Sequence, residues 1–249
     1  MPAPEFLLVD ISNSFTKIAP ATRDAISAEP VIVPTGELDA AAVRGTPWGE
    51  PEAVVLSSVV PERNAAVAEA FGEDRLINVS PDIDLGIQID YPEPSTIGAD
   101  RLADAVAAVH FYQSPVVAVD FGTAVTFDIV SPAGAYVGGV IAPGLAAMTH
   151  YLYDQTALLP RIDLHEPTSA VGKSTEGAMQ AGAVYGYRGL VKEILAQIAT
   201  ELGAKKRVPV VATGGYAALI AEGMEEIDTV HPNLTLEGLR IIGGLNAEP

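Results

Sequence analysis

Short apolar runs alternate along this chain with polar turns and with longer segments of helical periodicity. Two of the apolar runs, 7–9 and 116–119, each lead through a polar turn into a second strand-like run. In both halves of the chain these strand groups are followed by alternating helices and strands. This order favours an α/β fold over an all-α or an all-β fold.

The individual elements follow from the same pattern. Two strands are predicted within residues 5–19, and further strands at 30–34, 53–60, 76–79, 116–120, 124–130, 135–141 and 209–212. Helices are predicted at 38–44, 62–71, 98–112, 144–153, 175–202, 216–223 and 235–245, with loops at 81–94 and 159–167. A boundary at Gln113-Ser114-Pro115 would give one domain of residues 1–114 and a second of residues 115–249.

An acid closes each of the two paired strand runs. Asp10 ends the first run and Asp120 the second, and each is followed by small and hydroxyl residues. Such a turn suits a phosphate with a metal ion, because glycine admits backbone N–H groups, hydroxyls donate and a carboxylate takes a hard cation. One turn of this kind also occurs in ordinary hairpins, but two copies favour phosphate binding and an internally duplicated fold with a cleft between its halves. Alignment of the two acids places Ser12 over Gly122, Asn13 over Thr123, Ser14 over Ala124 and Thr16 over Thr126.

Three further stretches are candidates for chemistry. In Gly98-Ala99-Asp100-Arg101, at a predicted helix start, Arg101 would hold an anion and Asp100 would accept a proton. The same residues also suit a plain helix start with a solvated arginine. The glycines between Gly138 and Gly144 indicate close approach of a ligand or, equally, a β-bulge. Thr213-Gly214-Gly215 follows a strand and is a turn that would pack against an adenosine, with low specificity by itself.

The stretch Gly172-Lys173-Ser174-Thr175 is similar to the end of a P-loop. That motif needs a glycine five positions earlier, where this chain has Pro167, and no apolar strand precedes it. We therefore reject a P-loop. Ser174 is predicted to cap the long helix, which leaves Thr175 available to a ligand.

Charge and composition narrow the function classes. The 249 residues include 32 acids, 14 basic residues and no cysteine, so the formal net charge is −18 and no disulfide or thiolate site exists. This charge opposes binding to nucleic acid and to anionic membranes. A nucleotide site would need local cations such as Lys17, which a hairpin returns to the level of Asp10, and a bound metal. With no long apolar run and no basic leader, a cytoplasmic protein is expected.

Taken in order, these motifs resemble those of the type III pantothenate kinases, members of the acetate kinase–sugar kinase–Hsp70–actin superfamily. The resemblance spans about residues 6 to 246, and the Gly-Ala-Asp-Arg and Asp-Phe-Gly-Thr-Ala-Val-Thr-Phe-Asp stretches are its most specific parts. It implies two duplicated ribonuclease-H-like, actin-like ATPase domains. The stretches that carry it are 10–17, 57–61, 98–101, 120–128, 138–144, 172–182 and 213–215.

The resemblance also implies roles for individual residues. Asp100 would be the general base for the pantothenate hydroxyl, and Asp120 would hold a monovalent cation, K⁺ or NH₄⁺. ATP and its Mg²⁺ would be bound with Asp10 near the metal. The other implied ATP-binding residues are Asn13, Ser14, Lys17, Thr123, Gly214 and Gly215, and the implied pantothenate-binding residues are Tyr91, Gly98, Ala99, Arg101 and Thr175. Family members are homodimers whose substrate site is completed across the interface.

Two residues depart from the family pattern. The first loop of the family usually reads Asp-x-Gly-Asn-Thr, whereas this chain has Ser12 in place of the glycine and Ser14, which keeps the hydroxyl, in place of the threonine. Ser12 is expected to crowd the phosphate or to oppose a backbone with positive φ. Two alternatives to a pantothenate kinase therefore stay open: a non-catalytic regulatory protein that binds nucleotide, and a kinase for another small hydroxyl compound.

Overall fold

The computed structural model describes residues 3–203 and 206–247 and has an α/β fold. Its strands are β1 (Phe6–Ile11), β2 (Phe15–Ala21), β3 (Val31–Pro34), β4 (Ala53–Ser58), β5 (Leu76–Asn78), β6 (Gln88–Ile89), β7 (Val116–Phe121), β8 (Ala124–Val130), β9 (Ala135–Pro143), β10 (Val210–Thr213) and β11 (Thr229–Val230). Its α-helices are α1 (Ala40–Arg44), α2 (Asn64–Phe71), α3 (Ala99–Tyr112), α4 (Leu145–Gln155), α5 (Thr175–Glu201), α6 (Ala217–Ala221) and α7 (Leu234–Asn246).

The strands form two sheets that repeat one connectivity. The first sheet has the order β3-β2-β1-β4-β5, and the second contains β9-β8-β7-β10-β11 in the corresponding order. In the first sheet, β1 is antiparallel to β2 and parallel to β4, and β4 is parallel to β5. In the second sheet, β7 is antiparallel to β8 and parallel to β10, and β10 is parallel to β11. This repeat confirms the predicted duplicated, ribonuclease-H-like α/β architecture.

Two short strands were not predicted from the sequence. β6 lies in the segment 81–94 that was predicted to be a loop, and β11 precedes the last helix. Each has two residues and is defined by parallel pairing with a neighbour, β6 with β9 and β11 with β10. A two-residue strand is too short to show a period, so only its partner reveals it.

The contacts divide the chain into two compact units. One comprises Met1–Ser114, Pro132–Val137 and Asn233–Pro249, and the other Pro115–Ser131 and Gly138–Pro232. The first unit is followed by the second between Ser114 and Pro115, within the stretch where the sequence analysis placed a domain boundary. The C-terminal helix, which the sequence assigned to the second domain, belongs to the first unit because α7 packs along α3.

The central strand of the first unit is buried along its whole length. Leu7, Val9 and Ile11 belong to a hydrophobic cluster that includes Trp48. The alternate residue Phe6 faces α7, where Gly243 leaves room for Val55 of the neighbouring strand β4. Burial of each large apolar side chain stabilises the fold by roughly 1.5–3 kcal/mol, so the backbone of β1 is firmly held up to the acid near its carboxyl end.

Candidate functional site

Asp10 lies at the carboxyl end of β1 and is only 4% exposed. The Ser57 hydroxyl donates to Asp10 Oδ1 at 3.1 Å, and the Ser12 hydroxyl donates to Oδ2 at 3.3 Å. Lys17 is directly opposite Asp10 on β2. In an antiparallel pair, opposite residues share one face of the sheet, so the hairpin returns Lys17 to the level of Asp10 and to the same face.

The turn after Asp10 is held by a buried threonine that the sequence analysis missed. The Thr35 hydroxyl donates to the Ser12 carbonyl at 2.7 Å, and the Thr35 N–H donates to the Ser14 carbonyl at 3.0 Å. Thr16 and Thr35 share a further hydrogen bond of 3.1 Å between their hydroxyls. Within residues 3–203 and 206–247, Gln113 is the only non-glycine residue with positive φ, so the expected backbone obstacle at Ser12 does not arise.

The second acid, Asp120, lies in β7 within a tightly packed set of turns of the second unit. Gly214 has φ +91°, and a Cβ there would overlap Asp120 Oδ1 and the Phe121 backbone. A Cβ at Gly144 would likewise overlap the carbonyl oxygens of the Gly122-Thr123 turn. Glycine at both positions therefore lets three segments meet around Asp120. Gly144, Gly214 and the Gly122-Thr123 turn are thus brought together near Asp120.

The two hairpins differ by one residue, which corrects the sequence alignment. The first turn has three residues, Ser12 to Ser14, and the second has two, Gly122 and Thr123. Asp120 is therefore opposite Thr126, in the position that Lys17 takes opposite Asp10. The predicted match of Thr16 with Thr126 is wrong, because the extra turn residue shifts the return strand by one place.

Asp100 lies in the first turn of α3, after the cap residue Gly98. Its Oδ1 accepts a hydrogen bond of 2.8 Å from the Arg101 backbone N–H. Burial raises the pKa of the Asp100 carboxyl above its ordinary value, and that hydrogen bond and the charge of Arg101 only partly oppose the rise. A Cβ at position 98 would lie 2.5 Å from Asp100 Oδ1, so glycine leaves the space that the carboxylate occupies.

A buried tyrosine brings Arg101 and Tyr91 together. The guanidinium carbon of Arg101 lies 5.9 Å from the centre of the Tyr136 ring. The Tyr91 ring packs against the same ring, with 6.2 Å between centres and an angle of 65° between planes. Tyr136 was not singled out from the sequence, although it lies just before the glycine pair Gly138-Gly139. The three side chains form a cationic and aromatic group, in which Arg101 directly follows Asp100 in α3.

Thr175 is the first residue of α5, in the second unit. The predicted cap is confirmed, because the Ser174 hydroxyl accepts a hydrogen bond of 3.0 Å from the Gly177 N–H. Thr175 lines a cavity of about 930 Å³ between α4 and α5, with apolar walls that include Met148 and Met179. Asp100, Arg101 and Tyr91 belong to the first unit.

The described residues 3–203 and 206–247 contain no cluster of three or more histidine or acidic side chains placed to hold a metal. Mg²⁺ is commonly bound through one or two carboxylates together with water and substrate phosphates. Asp10, a buried carboxylate that accepts one hydrogen bond from a hydroxyl at each oxygen, fits that mode. In the same described part of the chain, no helix is both long enough and apolar enough to cross a membrane.

Comparison with known proteins places these features in one family. The family model for type III pantothenate kinase matches residues 6–197, well over half of the chain. This chain belongs to the type III pantothenate kinase family. It is 52% identical over 246 residues to a type III pantothenate kinase of Akkermansia muciniphila, covering 97% of this chain and 99% of that protein. It is 45% identical over 238 residues to one from Methylacidiphilum infernorum, covering 95% and 87%.

Solved structures agree with the fold of this type III pantothenate kinase family member. A Campylobacter jejuni protein described as a Baf family transcriptional activator aligns with a TM-score of 0.64 at 20% identity, over 95% of this chain and 96% of that one. The ethanolamine utilization protein EutJ of Carboxydothermus hydrogenoformans aligns with a TM-score of 0.56 at 14% identity, over 98% and 91%. At such identities the likeness concerns the fold alone, which is that of the actin-like ATPases.

Proposed function

We propose that this chain phosphorylates pantothenate at the expense of ATP, giving 4'-phosphopantothenate and ADP in the first step of coenzyme A biosynthesis. The observation that carries the proposal is family membership together with an Asp100 carboxylate of raised pKa at the start of α3. We also propose a cytoplasmic location, because the reaction draws on the ATP of that compartment.

The residues around α3 are proposed to bind pantothenate. Arg101 would pair with its carboxylate, and the adjacent Tyr91 would pack against the substrate. The helix start at Gly98 and Ala99 favours an anion, because backbone N–H groups point outward there. Thr175, which lines the apolar cavity of the second unit, is proposed as a further pantothenate-binding residue.

Asp100 is proposed to act as the general base. It would accept the proton of the primary hydroxyl as that oxygen attacks the γ-phosphorus of ATP and the bond to the β-bridging oxygen breaks. ADP leaves with the electrons of that bond, and the proton resides on the Asp100 carboxylate. A raised pKa strengthens Asp100 as a proton acceptor.

The two acid-containing hairpins are proposed to bind the nucleotide. Lys17 and the loop residues Asn13 and Ser14 would balance the phosphate charge in the first unit. In the second unit Thr123 would donate to a phosphate, and Gly214 and Gly215 would lie against the adenosine. Asp10 would hold Mg²⁺, and Asp120 a monovalent cation, K⁺ or NH₄⁺. Bound cations of this kind neutralise charge on the transferring phosphoryl group.

ADP release by the purified chain tests this function. With MgATP and K⁺ we expect ADP release that depends on added pantothenate and falls when Na⁺ replaces K⁺. Release that is equally fast without pantothenate, or only with another hydroxyl compound, would contradict the proposed substrate. ATP binding by calorimetry without any release would point instead to a regulatory protein.

The pH profile of the reaction should report the raised pKa of Asp100. A base works only when ionised, so kcat is expected to fall as the pH drops through that pKa, which lies above the ordinary value of 3.8. The profile is measured as kcat at saturating pantothenate, since the substrate carboxylate also titrates in acid. A kcat that stays constant down to pH 4 would contradict the assignment.

We propose that the active form is a homodimer joined through α4, the part of α5 from Gly182 to Gly189 and the segment that connects the two helices. This surface exposes large apolar side chains, with Tyr151 66% and Leu158 90% exposed. Along α5, a Cβ added at Gly182, Gly186 or Gly189 would meet no other atom within 4 Å. A second copy of the same chain would cover this apolar surface and approach closely at the glycines.

A bulky residue on α5 is expected to separate the copies. Gly182→Trp should weaken dimerisation at least about 100-fold, roughly 2.7 kcal/mol, because the ring occupies the space of the partner. Sedimentation equilibrium at micromolar concentration measures the change, with the exposed Ala199→Trp on the same helix as control. A Gly182→Trp protein that dimerises as tightly as the control would contradict this interface.

A further inference from the structure

Ser12, one of the two residues of the first loop that depart from the family pattern, lies against the first acid. We propose that Ser12 is a positioning residue that holds the Asp10 carboxylate for the metal-bound nucleotide. The inference rests on the proposed nucleotide site. It adds Ser12 to that site, at a position where the family pattern has glycine and therefore no side chain.

The two carboxylate oxygens of Asp10 are held separately. Ser57, on the neighbouring strand β4, donates to Oδ1, and Ser12, in the turn, donates to Oδ2. One hydrogen bond to each oxygen restrains rotation of the Asp10 carboxylate about its Cβ–Cγ bond. A carboxylate oxygen has two lone pairs, so an oxygen that accepts from a hydroxyl can also bind a cation or its water. Hydrogen bonds to a metal-binding carboxylate orient it and typically change metal affinity 10- to 100-fold when removed.

The position of the Ser12 hydroxyl is set by the backbone around it. The Ser12 N–H donates to the Phe15 carbonyl at 3.2 Å, and the Ser12 carbonyl accepts from buried Thr35 at 2.7 Å. Both peptide groups of the residue are therefore fixed, and its φ is not positive. The Ser12 side chain extends from this fixed backbone towards Asp10. Because both residues are already ordered, little side-chain entropy is lost when the nucleotide binds.

The second hairpin, whose turn is one residue shorter, has glycine two residues after its acid. At Gly122 a Cβ would lie 3.6 and 3.7 Å from the carboxylate oxygens of Asp120, which is ordinary van der Waals contact. A side chain two residues after the acid would therefore contact the carboxylate in the shorter turn as well. Only the first copy has a side chain with a donor at this position, so the effect is directed at Asp10.

Nucleotide binding in the absence of pantothenate tests the inference. Affinity for ADP is measured by calorimetry with Mg²⁺ and with EDTA, for the wild type, Ser12→Ala and Ser12→Thr. The ratio of the two affinities is the gain due to Mg²⁺. We expect Ser12→Ala to lower that gain about tenfold with EDTA binding unchanged, and Ser12→Thr, which keeps the hydroxyl, to stay within about twofold of the wild type.

Ser57→Ala and Asp10→Asn complete the experiment. We expect Ser57→Ala to reduce the gain as Ser12→Ala does, and Asp10→Asn to abolish it. A full Mg²⁺ gain in Ser12→Ala would overturn the inference, as would an equal loss of affinity with and without Mg²⁺. If Asp10→Asn keeps the gain, the metal role of Asp10 and this inference fall together, whereas pantothenate-dependent ADP release would still establish the kinase.

Discussion

Replacement of Asp100 by asparagine is expected to lower kcat by about two to four orders of magnitude, the usual contribution of a general base. The amide keeps the shape of the side chain, and its oxygen can still accept from the Arg101 N–H at the helix start. It cannot take the proton of the attacking hydroxyl. Because the proposed role of Asp100 concerns that hydroxyl and not the nucleotide, ATP affinity should stay within about twofold of the wild type. Steady-state ADP release and ATP calorimetry measure the two quantities.

The control for this variant is Asp82→Asn, which removes the same charge from an exposed position of the same unit. Asp82→Asn should leave kcat unchanged, so that any loss in Asp100→Asn is not an effect of net charge. An Asp100→Asn protein that turns over within about threefold of the control would rule out Asp100 as the base. Equal losses of ATP affinity and kcat would indicate a folding defect instead.

Gly238→Ala is expected to destabilise the first unit by about 3 kcal/mol or more, at or beyond the upper end of ordinary overpacking. A Cβ on this residue of α7 would overlap the backbone of Ala103 in α3. Backbone atoms cannot move aside as the end of a flexible side chain can, so the two helices must separate. Urea denaturation measures the free energy of unfolding. Since α3 carries Asp100 in its first turn, kcat should fall as well.

Gly244 provides a matched control in the same helix. A Cβ there meets nothing within 4 Å, so Gly244→Ala should raise the free energy of unfolding by up to about 1 kcal/mol through helix propensity alone. Opposite signs for the two glycine-to-alanine changes would identify close helix packing as the cause. If Gly238→Ala is as stable as Gly244→Ala, α3 and α7 do not meet at this point.

Local patterns predicted the strands well where a continuous apolar run ends near an acid, and the helices where a start signal is present in the sequence. β1 and β7 are buried apolar runs closed by an acid, and both were predicted from that feature. The cap at Ser174 was predicted because a side-chain oxygen at the start of a helix satisfies a backbone N–H within three residues. These features depend only on residues that are close together in the sequence, so they can be predicted from a single sequence.

Features set by distant partners were not predictable in this way. α7 was assigned to the second domain by its place in the chain, but it packs on α3, which lies far earlier in the sequence. Thr35 supports the first turn from outside the motif, and Tyr136 of β9 packs against Arg101 of helix α3. In each case the deciding contact joins residues far apart in sequence, and their types alone carry no record of it.

The extra residue of the first turn gives the two repeated hairpins different residues opposite their acids. Because side chains alternate between the faces of a strand, one inserted residue changes which return-strand side chain faces the acid. The first copy has a lysine opposite its aspartate, so that cross-strand pair is formally neutral, whereas the second has a threonine there and its cross-strand pair is formally negative. The two hairpins therefore differ in charge at equivalent positions: one has a cationic side chain opposite its acid, and the other a neutral hydroxyl.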